Sequence, residues 1–214
     1  HQRMTLIIET PSGQVTGASV QEALFTGTRG ELRHIMGVNG STGGYGFRGE
    51  ATVVELAPGR FLFALLTGGE GGLGAPGLNL ATLAGQPQRL YPATEAAVAA
   101  VKALPKDQPL TLTPDLYPLL VTFDDIHDPK SVRQVDPADL AAAFGPGVRL
   151  KAVTLAVTDE AVTEGKVEAV LGDLKEIDGR GPFPIKFSPG FDLNKIDPND
   201  TDLNVLTFST ETFN

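Results

Sequence analysis

Runs of apolar residues, each closed by turn formers, divide this chain into elements. The most informative stretch lies between Tyr117 and Thr158. Leu119 to Phe123 is a short run of large apolar side chains, with Pro118 before it and Asp124, Asp125, Asp128 and Pro129 after it; that pattern predicts a buried strand. Asp136-Pro137 then predicts the start of a helix, because the carboxylate accepts from free backbone N–H groups and proline needs no donor at the first position. Leu140, Ala143 and Phe144 share its inner face, and Gly145-Pro146 ends it. From Val148 to Val157 apolar and charged positions alternate before a denser Val153, Leu155, Val157 set, which predicts a strand with one buried face. The connection is long enough for either a parallel or an antiparallel pairing of the strands at 119–123 and 148–157, and both stay open.

Two hairpins are legible upstream. Met4 to Thr10 and Gln14 to Val20 flank Pro11-Ser12-Gly13, while Glu50 to Leu56 and Arg60 to Leu66 flank Ala57-Pro58-Gly59. Glycine-dense Gly27 to Gly49 predicts an exposed loop or an irregular strand connection, and Gly68 to Gly77 predicts a loop, since each glycine costs a helix about 1 kcal/mol relative to alanine. Pro92 to Leu104 places Ala97, Val98, Val101 and Leu104 on one helical face, with Lys102 near the end where the dipole favours a cation. Lys106 to Pro114 reads as a linker. Lys166 to Ile177 is the clearest amphipathic helix, with Val167, Val170, Leu171, Leu174 and Ile177 on one side.

Beyond Asp178 glycine and proline break every pattern until Leu203 to Phe208 offers a last strand. The expected organisation is therefore one domain over residues 1–178 and an extended C-terminal arm over 179–214. The expected fold is α+β: hairpins forming a mixed or mostly antiparallel sheet, with two or three helices packed on one face.

Composition narrows the function. With 41% hydrophobic and 20% charged residues the chain is globular in character. A net charge of -9 argues against nucleic acid or anionic lipid as a partner. There is no cysteine, hence no disulfide framework, thiolate metal site or cysteine nucleophile. No apolar run approaches the roughly 20 residues of a membrane helix.

The densest candidate chemistry is Asp124, Asp125, His127 and Asp128, just past the predicted strand. Oxygen ligands at this density suit Ca²⁺ or Mg²⁺, with His127 as ligand or base for a cation-dependent hydrolase. The same residues also make a turn in which carboxylates accept from nearby backbone N–H groups. A second set comprises Asp197, Asn199, Asp200, Asp202 and Asn204. Counted from Asp200, oxygen-bearing residues fall at positions 1, 3 and 5, with Glu211 at 12, as in a calcium loop; Val205 stands where that loop needs glycine. Gly69, Gly71 and Gly74 spell a G-x-G-x-x-G, but Ala75-Pro76-Gly77 opposes the helix that a dinucleotide site requires. No P-loop, H-E-x-x-H or G-x-S-x-G is present, and no catalytic residue or organic cofactor is assigned.

VTFDDIHDPKSV at 121–132 and VDPADLAAAFGPGVRLK at 135–151 resemble segments of a group of uncharacterised, mostly alphaproteobacterial proteins. RGEATVVEL and FLFALL, within 48–66, are similar more weakly. The resemblance, strongest over 117–165, implies an exported or lipoprotein-like protein carrying an N-terminal export signal, and it implies no activity, cofactor or catalytic residue. The tail after residue 178 departs from the short ending usual in that group. The expectation is a non-catalytic periplasmic, envelope or extracellular component whose arm, ending in NVLTFSTETF, pairs with a protein partner or a second copy. The alternative is a divalent-cation module or hydrolase built on Asp124, Asp125, His127 and Asp128.

Overall fold

The computed structural model describes residues 1–26, 44–66, 79–85, 95–172, 183–184 and 202–203. Both predicted hairpins form. Strand β1 (Gln2–Thr10) pairs antiparallel with β2 (Gly13–Thr26), and β2 runs on past the predicted end at Val20 to pair with β3 (Gly44–Arg48). The end of the glycine-rich stretch, read as an exposed loop or an irregular strand connection, is thus a strand. β4 (Thr52–Ala57) and β5 (Arg60–Ala64) make the second hairpin; Gly59 turns it with φ +71°, and its N–H donates to the Glu55 carboxylate at 3.0 Å.

Helix α1 (Asn79–Leu83) and α2 (Glu95–Lys102) follow, then β6 (Leu110–Thr111), a short strand inside the segment read as linker. β7 (Leu120–Phe123), β8 (Val132–Gln134), α3 (Ala141–Phe144), β9 (Arg149–Val157) and α4 (Lys166–Leu171) complete the body. The tail contributes β10 (Phe183–Pro184) and β11 (Asp202–Leu203), paired antiparallel with each other. Leu174, Ile177 and the 69–74 glycine motif lie outside the described residues.

The fold is α+β, and its two main sheets are antiparallel throughout. One has the order β3-β2-β1-β9-β6 and the other β4-β5-β7-β8. The strands at 119–123 and 148–157 are therefore not partners in either sense: β7 lies in one sheet and β9 in the other. The intervening chain has the physical reason in it. After β7 the chain turns back through β8, which takes up β7's free edge, and only then crosses to the other sheet.

Side chains from both sheets meet in one apolar cluster: Met4, Leu6 and Ile8 from β1, Val153 and Leu155 from β9, Val54 from β4, Leu62 and Ala64 from β5, and Leu120 from β7. Leu140, Ala143 and Val148 close it from the α3 segment. A second cluster uses the opposite face of the four-stranded sheet: Phe63, Leu65, Val121, Phe123 and Val132, covered by Val167 of α4. Alternation along Leu62-Phe63-Ala64-Leu65 thus serves two cores, which is why this strand reads as an unbroken apolar run. Phe63 and Phe123 meet edge to face, their centroids 5.5 Å apart.

The helix predicted from Asp136 is shorter than its sequence signal. Asp136 caps a turn, with its Oδ1 accepting from Ala138 N–H at 2.8 Å, and Asp139 Oδ1 accepts from Ala142 N–H at 3.1 Å. Regular helix covers only Ala141–Phe144. Two arginines of the four-stranded sheet hold its end, since Arg60 and Arg133 both donate to the Ala143 carbonyl, and Arg60 also lies 5.5 Å from the Phe144 ring centroid.

The two sheets approach each other closely where β2 passes β4. A Cβ on Gly17 would fall inside van der Waals contact of the Val53 carbonyl oxygen and of Val54 Cγ2. Two residues on, Ser19 Oγ and Thr52 Oγ1 are hydrogen-bonded at 2.6 Å, both side chains buried. Gly17→Ala is expected to destabilise the protein by about 1–3 kcal/mol, because the obstacle is backbone and cannot swing away. Urea unfolding of the variant checks this; a midpoint equal to that of the parent chain rejects the close approach.

Candidate functional site

Three places hold the chemistry that the described residues offer. The first is the predicted acidic loop after β7. Asp125 Oδ1 accepts from His127 N–H at 3.0 Å and Asp128 Oδ1 from Lys130 N–H at 2.9 Å, each carboxylate bonding the backbone two residues on. Ser131 Oγ accepts from Asp125 N–H at 3.0 Å and lies 2.7 Å and 2.8 Å from the Asp125 and Asp128 carbonyl oxygens. Asp124 leaves the loop and pairs with Arg133, 2.6 Å from Oδ1 to Nε. Asp124, Asp125, His127 and Asp128 are all exposed.

The loop is therefore organised by its own backbone. Among the described residues no group of three or more His, Cys, Asp or Glu side chains is placed to hold a metal ion. Asp202 pairs across β10–β11 with Pro184, and β10 lies beside the Pro129–Ser131 turn, so the tail returns towards this loop. Asp197, Asn199, Asp200, Asn204 and Glu211 lie outside the described residues. With the carboxylates engaged as turn acceptors, 5 mM Ca²⁺ or Mg²⁺, roughly a saturating level for weak extracellular-type sites, is expected to leave the melting temperature unchanged. A rise on adding metal, reversed by EDTA, would show through linkage that the loop binds a cation.

The second place was not legible in the sequence. Glu50, read as an ordinary residue at the start of a strand, is 1% exposed. Its Oε1 accepts from Lys166 N–H at 3.1 Å and its Oε2 from Val167 N–H at 3.2 Å, so one carboxylate holds the first turn of α4 against the sheet. Gly165, with φ +78°, brings the chain round to present those two donors. Buried polar groups line the approach: Gln21 Nε2 donates to the Glu50 carbonyl at 3.4 Å, and Gln2 Nε2 donates to Gln21 Oε1 at 3.1 Å. Thr163 docks the same strap to β2, its N–H donating to Val20 O at 2.9 Å and its Oγ1 accepting from Val20 N–H at 2.8 Å.

Burial pushes the Glu50 carboxyl above the usual carboxylate range. The hydrogen bonds from Val167 and Lys166 and the Lys166 charge pull it back in part, and Glu168 adds to the rise. A carboxyl whose folded value is raised gives stability that is full below its unfolded value and is lost as pH climbs through the folded one. Glu50→Gln removes that dependence. The difference in unfolding free energy, parent minus variant, is expected to fall as pH rises from about 4.3 towards neutrality; a flat or rising difference rejects the assignment. Glu50→Ala is expected to cost about 2 kcal/mol or more at all pH values, since it leaves two N–H groups without an acceptor.

The third place is a recess of about 200 Å³ at one end of the five-stranded sheet, lined by His1, Gln2, Ala23, Leu80, Val98, Val101, Lys102 and Val157. Its walls come from β1, β2, β9, α1 and α2 and are mostly apolar. Polar groups stand at its edge. His1 is held there, Nδ1 lying 2.5 Å from the Glu160 carbonyl and Nε2 3.5 Å from Glu22 Oε1. Sequence periodicity placed Val98 and Val101 on the inner face of α2, but the other walls come from segments far apart along the chain.

Comparison with family models, curated proteins and solved structures gives no match for this chain. No helix among the described residues is long and apolar enough to cross a membrane. The class that fold and site define is an antiparallel α+β protein of two stacked sheets, with an apolar recess at one end of its five-stranded sheet.

Proposed function

We propose that this chain is a non-catalytic binding or assembly component, exported to the periplasm, envelope or extracellular space, that receives an apolar side chain of a protein partner. One observation carries the reading: the recess between α2 and the ends of β1 and β9 is open and has an apolar lining. Its size favours a particular occupant. About 200 Å³ is below the roughly 300–1,000 Å³ of sites for drug-sized molecules and suits one anchoring side chain. Export is part of the proposal through the resemblance of residues 117–165 to exported proteins. The arm, residues 179–214, is its second contact. Its described strands pair with each other, and the strand-forming sequence NVLTFSTETF suits addition to a neighbour's sheet edge.

Titration of ¹⁵N-labelled protein with short peptides centred on leucine, isoleucine or phenylalanine is expected to shift the amide signals of Ala23, Leu80, Val98 and Val157. Val98→Asp is expected to abolish those shifts while the remaining spectrum stays dispersed. Peptides that shift none of these signals at millimolar concentration would overturn the reading. Light scattering on the chain with and without residues 179–214 tests the arm, and an identical monomer mass for both removes its part in self-association.

A further inference from the structure

We infer that the partner segment seated in this recess carries an acidic group next to its apolar anchor; the inference rests on the recess being the binding site. Lys102 ends α2, four residues after Val98 and one after Val101, so its stem leaves the same helix face that forms the apolar wall. It is exposed, and none of the ion pairs among the described residues includes it. The His1 ring, also part of the lining, faces Glu22 and the Glu160 carbonyl. The recess therefore presents an apolar floor with the Lys102 ammonium at its edge.

A carboxylate on the residue beside the anchor meets that ammonium as the anchor enters. The net charge of -9 does not oppose this at close range, since distant charges are screened beyond about 8 Å at physiological salt. An exposed ion pair of this kind supports a modest selectivity, about two- to five-fold in affinity.

The test compares three blocked pentapeptides with a central leucine flanked by aspartate, asparagine or lysine, titrated into the full chain at low salt. The aspartate peptide is expected to bind about three-fold more tightly than the asparagine peptide, with the lysine peptide weakest. Lys102→Gln is expected to equalise the first two. Equal affinities for aspartate and asparagine, or a preference that survives Lys102→Gln, overturn the inference and leave the recess reading standing. Failure of all three peptides to bind removes both.

Discussion

The four-stranded sheet is buried on both faces, and that single constraint governs the rest of the body. β5 and β7 send Leu62, Ala64 and Leu120 into the space between the sheets and Phe63, Val121 and Phe123 to the other side. Each large side chain removed from water contributes about 1.5–3 kcal/mol, so leaving the second face open would forfeit several such contributions. The face therefore needs a cover. α4 supplies it through Val167, with Val170 and Leu171 at the margin.

A cover as short as Lys166–Leu171 has little helical stability of its own. What fixes it is polar: two N–H groups on the Glu50 carboxylate, and the Thr163 backbone and hydroxyl on Val20. Burying an ionised carboxylate is costly, and the rise in the Glu50 pKa expresses that cost. The two accepted hydrogen bonds offset part of it and give the helix one place to dock. Hydrophobic area says that the face must be covered; Glu50 and Thr163 decide where the covering segment sits.

Much of the fold follows from local chemistry. Pro11-Ser12-Gly13 and Ala57-Pro58-Gly59 set both hairpins because the turn residues and the flanking apolar runs agree. The acidic loop was half legible: its turn-forming character is what Asp125, Asp128 and Ser131 display, since bonds spanning two to six residues need no tertiary information. The shortness of α3 was not legible. Asp136 and Asp139 each bond the start of a turn, and the carbonyl at the end of the helix is taken by Arg60 and Arg133, which come from other strands.

By itself the sequence determined the class, the hairpins and the strands at 119–123 and 148–157, because these depend on periodicity and on turn residues only a few positions apart. Tertiary structure alone decided that those two strands belong to different sheets. A strand's side-chain pattern records which faces are buried and not which neighbour takes its edge. It also decided the roles of Glu50 and Gly17. Neither role has a local signature, since the carboxylate meets its donors 116 and 117 residues away. The glycine matters only because another strand's backbone crosses it.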